Sequence, residues 1–359
     1  MTTIISPIAV EHVKQSRLKE VDFSNIGFGN YISDHMLITD YKNGAWHEPK
    51  VMPYGEIPMT PAILALHYGQ TIFEGMKAFK MNDGGISIFR VQRHYQRLLK
   101  SLERMCMPAI SEKLFTSSLH ALVEIDQQWV PDKEGYSLYI RPLVFASESK
   151  LGVKISDQYK FVIMTSPVGP YFAKPIRVKV EEVYVRAAEG GTGFAKCAGN
   201  YGGAFYPTQL AREQGFDQVL WTDAKEHQYI DESGAMNVMF VLDGKLITPK
   251  LTTAILDGIT RDSILTLAKE LRMPTEERRI SLDNLIEGFK KGTLTEAFGA
   301  GTAAVVSQIA TINIHGKDYD LPSVNAGSFQ QRVKQKLSNL RIGIEPDVYG
   351  WNYVIKGTF

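Results

Sequence analysis

The sequence predicts an α+β (mixed α/β) protein in two halves. Three observations carry this. Its 359 residues exceed what one hydrophobic core comfortably organises. β-rich runs and amphipathic helices are mixed without the regular cadence of a doubly wound sheet. A stretch holding three prolines and a glycine, PVGPYFAKP at 167–175, reads as a connection between domains. The expected organisation is a smaller N-terminal domain at 1–166, the loop 167–175, and a larger domain at 176–359.

In the first half, ISIFR (Ile86–Arg90) reads as a strand. Arg93–Met105 follows as a helix with Tyr95, Leu98, Leu99 and Leu102 at helical spacing. Ser111 can cap a second helix running to Val130 and carrying Leu114, Leu119, Leu122 and Val123. Tyr136–Phe145 and Lys160–Ser166 read as strands. In the second half, Ile176–Val185 alternates apolar and charged residues at its start, as a half-buried strand does. A Gly-rich stretch and a helical pattern up to Gly215 come next. Met236–Pro249 predicts a hairpin, because Asp243-Gly244 favours a type I′ turn. Helices are expected near 260–272, 281–291 and 328–340. No internal repeat or low-complexity tract is present.

Composition narrows the function classes. A hydrophobic content of 44% and a charged content of 22% are ordinary for a soluble globular chain. Lys plus Arg number 40 against 39 Asp plus Glu, with no dense basic tract, so a nucleic-acid partner is not expected. No apolar run reaches the ~18–20 residues of a membrane span. The N-terminus lacks the basic and long apolar regions of a secretory signal. Two cysteines, Cys106 and Cys197, form no disulfide framework and fit a reducing, cytoplasmic location.

The candidate chemistry centres on EGGTGFAKCAGNYGG (189–203), in which six glycines surround Lys196. Glycine lets another group approach the backbone closely. A lysine among glycines is by itself more often a loop than a nucleophile, and the residues leave both readings open. A Schiff-base lysine needs a neutral amine and empty space beside it. Tyr201 lies five residues on and can direct its hydroxyl to the same place. Glu232 precedes a small-residue turn and an apolar strand; a buried carboxylate there can keep a pyridine nitrogen protonated and make the ring an electron sink. Three places suit a phosphate. DGITRDSI (257–264) sets Thr260 at a helix start, AFGAGTAAV (297–305) turns at Thr302, and Arg97 offers a charged fork. Each has an ordinary structural reading too, and periodicity cannot bring these segments together.

Taken jointly, HYGQTIFEGMKAFK (67–80), FRVQRHYQRLLKSL (89–102), YIRPLVF (139–145), GGTGFAKCAGNYGG and EAFGAGTA (296–303) resemble the branched-chain amino acid aminotransferases, pyridoxal-phosphate enzymes of fold type IV. The resemblance runs from about residue 25 onward and is to the longer subgroup that includes the eukaryotic enzymes. It implies a large C-terminal domain with a barrel-like sheet, and ping-pong transfer between L-leucine, L-isoleucine or L-valine and 2-oxoglutarate, giving L-glutamate. It implies that Lys196 bonds pyridoxal phosphate as an aldimine and then shuttles the Cα proton. Tyr201 would bond the phenolic oxygen and Glu232 the pyridine nitrogen. Arg97, Ile259, Thr260 and Thr302 would hold the phosphate. Tyr68, Phe73, Tyr139, Arg141 and Tyr171 are implied as substrate-pocket positions, with the Thr302 and Ala303 amides receiving the substrate carboxylate. No metal is implied.

A homodimer is also implied, with a loop of one subunit helping to close the other's pocket. The sequence departs from the family at two places. Ala304 and Ser307 stand where mammalian relatives carry a redox-active cysteine pair, and Ala235 stands where relatives carry threonine. D-amino acid aminotransferase and aminodeoxychorismate lyase share the lysine, glutamate and phosphate logic, while FEGMKAF, YIRP and the chain length favour the branched-chain branch. A cofactor-free binding protein is the rival of another class; the joint presence of Lys196, Glu232 and Arg97 speaks against it.

Overall fold

The computed structural model describes residues 8–172 and 174–356. The chain divides into two compact units, one of residues 1–171 with 341–359 and one of residues 172–340. The division falls within the Pro-rich stretch. The C-terminal segment, however, belongs to the first unit and not to a domain running from 176 to 359.

Unit 1 is built on a sheet formed by β1 (Ala9–Val10), β2 (His35–Lys42), β3 (Ala45–Trp46), β4 (Lys50–Pro53), β5 (Thr71–Phe73), β6 (Met76–Lys80), β7 (Ile86–Phe89), β8 (Ser137–Ala146) and β9 (Tyr159–Val168). The short helix α1 (Leu64–Tyr68) precedes β5, while α2 (Val91–Arg104) and α3 (Glu112–Ile125) lie between β7 and β8. The two long strands β8 and β9 pair antiparallel along their full length, from Ser137↔Val168 to Ala146↔Tyr159. Helix α2 buries Tyr95, Leu98 and Leu102, the apolar stripe its spacing predicts. Ser111 caps α3 by accepting the Leu114 amide, but α3 stops at Ile125 and a 3₁₀ turn at Gln127–Trp129 replaces its expected last turn.

Unit 2 has a second, curled half-barrel sheet. Its strands are β10 (Ile176–Val180), β11 (Gln218–Thr222), β12 (Ile230–Ser233), β13 (Asn237–Leu242), β14 (Lys245–Thr248), β15 (Thr275–Glu277), β16 (Leu294–Gly301), β17 (Val305–Ile314) and β18 (Lys317–Asp320). They run in the order β12-β11-β10-β17-β16-β13-β14-β15, with β18 beside β17. The helices are α4 (Gly199–Gly202), α5 (Phe205–Glu213), α6 (Ile259–Glu270), α7 (Leu282–Lys291) and α8 (Phe329–Ile342). The predicted hairpin is β13–β14, with Asp243 at φ 51° and Gly244 at φ 72°, as a type I′ turn requires. β10 ends at Val180, short of the expected Val185, because the Glu181 carboxylate takes the amides of Val183 and Tyr184 and turns the chain out of the sheet. β19 (Asn352–Ile355) returns to unit 1 and pairs antiparallel with β7. No helix among the described residues is long and apolar enough to cross a membrane.

Candidate active site

In unit 2 the Gly-rich stretch folds into turns ahead of α4, which carries Tyr201 back over Lys196. Lys196 Nζ donates to Tyr201 Oη at 2.9 Å. The stretch is fastened to residues 252–256: Phe194 N donates to Thr253 O at 3.0 Å and Gly190 N to Thr253 Oγ1 at 2.8 Å. Gly193 is needed for this contact, since a Cβ there would lie 2.4 Å from the Ala254 carbonyl oxygen. Around Gly199, Gly202 and Gly203, by contrast, the space is open.

Glu232, on β12, is 3% exposed. Its Oε1 accepts from Asn237 Nδ2 at 3.0 Å and from the Leu256 amide at 3.1 Å. Its Oε2 lies 2.6 Å from Arg186 Nε. Asn237 also donates to Leu256 O, two residues before Gly258, the N-cap of α6. A Cβ on Gly258 would collide with Asn237 Oδ1, so the acid's amide partner and the start of α6 are packed directly together. Gly258 supplies no side-chain cap to α6, whose first residues Ile259 and Thr260 are both buried. Thr302 and Ala303 form the tight turn between β16 and β17, closed by Gly301↔Val305 with Val305 at φ 59°. Asp231, beside Glu232, is pushed up to about 7 by burial and by the Glu232 charge, with Arg186 opposing.

Unit 1 gathers most of the other predicted residues into one cluster. Tyr139 and Arg141 share a face of β8, and Arg141 Nη2 donates to Tyr139 Oη at 3.1 Å. The Arg141 guanidinium sits over the Phe73 ring at 4.6 Å. Phe28 joins Tyr139 and Tyr171 edge-on, at 4.9 and 5.2 Å. Gly75 leaves room for the Tyr139 hydroxyl, which a Cβ would strike. Tyr68 stands apart from this cluster, exposed on α1, and donates to the Leu151 carbonyl. Arg97 is buried on α2, with Nε and Nη2 donating to the two oxygens of Glu74 at 2.7 and 2.8 Å, and His94 Nδ1 lies 2.7 Å from Glu74 Oε2. An ion-pair fork, not the solvated helix charge of its plain reading, is therefore the setting of Arg97.

A lysine amine paired with a phenol, a braced acid and a helix N-terminus that begins at a glycine N-cap, all in one unit, are parts that suit a pyridoxal-phosphate site. The family model described as amino-transferase class IV matches residues 71–312. The chain belongs to the class IV aminotransferases. Curated members of this family that it resembles include the probable branched-chain-amino-acid aminotransferase of Staphylococcus aureus (strain MRSA252), 45% identical over 97% of this chain and 98% of the relative. Branched-chain-amino-acid transaminase 1 of Bacillus subtilis (strain 168) is 42% identical over 95% of this chain and 98% of the relative. Among solved structures, the branched-chain aminotransferase of the thermophilic archaeon Thermoproteus uzoniensis with norvaline superposes with a TM-score of 0.73 at 26% identity, over 89% of this chain and 99% of that one.

Within each unit, residues that contact the predicted ones escape sequence reading. Arg186 and Asn237 have no periodic signal, because their roles lie in contacts with Glu232 from other segments. Glu74 and Phe28 are missed as well. For Glu74 there is a usable signal: an acid inside the apolar run TIFEGMKAF has to find a buried partner.

Proposed function

We propose that this aminotransferase is a branched-chain-amino-acid transaminase, moving the amino group of L-leucine, L-isoleucine or L-valine to 2-oxoglutarate and releasing L-glutamate and the branched 2-oxo acid. The chemistry rests on one observation above all, the Lys196 amine held 2.9 Å from the Tyr201 hydroxyl. The names of its close relatives support the substrate class.

The residues fit pyridoxal phosphate, which when bound supplies the sink for the electrons of the broken Cα–H bond. Lys196 Nζ would hold the cofactor, and its free amine would take up the proton leaving the substrate Cα and pass it on. Tyr201 Oη orients that amine and bonds the cofactor's phenolic oxygen. Glu232 holds a proton at the pyridine nitrogen. The Ile259 and Thr260 amides, with Thr302 and Arg97, bind the phosphate. Phe73, Tyr139, Arg141, Tyr171 and Tyr68 line the substrate side chain, and the Thr302 and Ala303 amides take its carboxylate. Arg141 lying among aromatic faces suits a pocket that must accept both an apolar side chain and a second carboxylate. A homodimer and a cytoplasmic location complete the proposal.

Titrating the apoprotein with pyridoxal phosphate should give a visible absorption band, which borohydride bleaches while fixing the cofactor on Lys196. Leucine, isoleucine, valine and glutamate should each discharge the band in a single half-reaction. Discharge by a D-amino acid alone would overturn the assignment.

A further inference from the structure

Arg186 lies between β10 and the Gly-rich loop and has no role in the reading above. Its side chain is 11% exposed. Three segments meet on it. Nε lies 2.6 Å from Glu232 Oε2, while Nη2 donates to the Gly193 carbonyl at 3.1 Å and to the Ala254 carbonyl. Gly193 belongs to the loop that carries Lys196, and Ala254 to the approach to α6. One planar guanidinium therefore touches the acid, the lysine loop and the chain leading to the anion-binding helix end.

The contacts differ in kind. Gly193 and Ala254 offer neutral carbonyls, and holding them is a fastening. Glu232 is a buried carboxylate whose Oε1 is met by two neutral donors, an amide nitrogen of Asn237 and the Leu256 backbone. Its countercharge comes from Arg186. A buried carboxylate that loses its cation takes up a proton in preference to staying charged. A neutral Glu232 no longer offers a pyridine nitrogen the negative charge that holds a proton there.

We propose that Arg186 is a positioning residue with two separable duties: it keeps Glu232 ionised for the cofactor, and it ties the Lys196 loop to the approach to α6. This rests on the proposed function. Lysine can separate the duties, because an ammonium keeps the charge but has no fork to span the acid and both carbonyls.

The test compares wild type with Arg186→Met, Arg186→Lys, Glu232→Gln and the double variant Arg186→Met/Glu232→Gln. Each apoprotein is titrated with pyridoxal phosphate for its dissociation constant and heated for its unfolding midpoint. Arg186→Met should weaken cofactor binding about tenfold or more, but no more than about threefold in the Glu232→Gln background, because the two side chains form one charge pair. Arg186→Lys should unfold nearly as early as Arg186→Met yet bind the cofactor within about threefold of wild type. The proposal is overturned if cofactor affinity simply follows the unfolding midpoint, if lysine rescues no better than methionine, or if the Arg186→Met loss is the same in both backgrounds. Should Arg186→Met fail to fold, Arg186→Gln takes its place in the same comparison. A wild-type protein that binds no pyridoxal phosphate would defeat the functional reading itself, a result distinct from a missing coupling.

Discussion

Replacing Glu74 by glutamine tests the buried fork beneath Arg97. Glu74 is 0% exposed and receives Arg97 Nε and Nη2 at 2.7 and 2.8 Å, with His94 Nδ1 at 2.7 Å. Burial alone would raise its pKa, but the charge and hydrogen bonds of Arg97, joined by those of His94, prevail and hold the carboxyl far below its ordinary 4.5. Glutamine keeps the shape and removes the charge. One of its two terminal atoms becomes a donor facing other donors, and Arg97 is left buried without its counterion. Breaking one side of such a pair costs about 3–5 kcal/mol. Two charged hydrogen bonds at about 1.5–3 kcal/mol each lead to the same range. The assay is urea unfolding of the apoprotein followed by tryptophan fluorescence, repeated across pH. Because the folded-state pKa is depressed, the stabilisation is complete above the unfolded value of 4.5 and is lost as pH falls toward the folded one. The deficit of Glu74→Gln should therefore be flat from about pH 8 to 5.5 and shrink below about pH 4.5. A deficit under about 1 kcal/mol at pH 7, or one that grows as pH falls, would refute the argument.

Gly193→Ala should destabilise by about 1–3 kcal/mol in thermal unfolding, because its Cβ would meet the Ala254 backbone at 2.4 Å. Gly203→Ala, at φ −63° with open space around it, should leave stability unchanged or raise it by about 0.4–1 kcal/mol in the same measurement. Asp231 titrates at about 7, so its ionisation penalty develops as pH rises from its ordinary 3.8 toward 7. Asp231→Asn should match wild type near pH 4 and gain about 1–3 kcal/mol by pH 8, after discounting for screening at a half-buried site; urea midpoints against pH would read this. Ser281→Ala removes the capping box of α7, in which Ser281 and Asn284 satisfy each other's amides, and should cost about 0.5–2 kcal/mol by urea unfolding.

What can be read from the sequence is local. The α2 stripe, the Ser111 cap and the Asp243-Gly244 turn each depend on residues a few positions apart, and each is legible. β10 reads too long because Glu181 continues an alternating pattern while its carboxylate folds back on the amides of Val183 and Tyr184. The last strand is assigned to the wrong unit because nothing in NYVI names its partner β7. Lys196 and Tyr201 are legible as a pair, being only five residues apart in one Gly-rich stretch. Arg186 and Glu74 are not, since a buried charge shows its meaning only when its counterion is known.

The glycines of the Lys196 loop raise the same issue at the level of a single contact. Their abundance suggests room for a bulky cofactor, yet they do not all do one thing. Gly193 is filled from behind: the backbone of Ala254 occupies the place of its side chain, and Arg186 holds the two carbonyls together. Gly199, Gly202 and Gly203 face open space and allow α4 to bring Tyr201 over Lys196 without obstruction. A loop fastened on one side and open on the other cannot drift relative to α6, because residues 252–256 lead directly into Gly258, and Gly258 is pressed against the amide that braces Glu232. Amine, acid and helix N-terminus are therefore set by one continuous chain of backbone and side-chain contacts. Loosening that chain at Gly193 should lower the unfolding midpoint even though the substitution touches neither Lys196 nor Glu232.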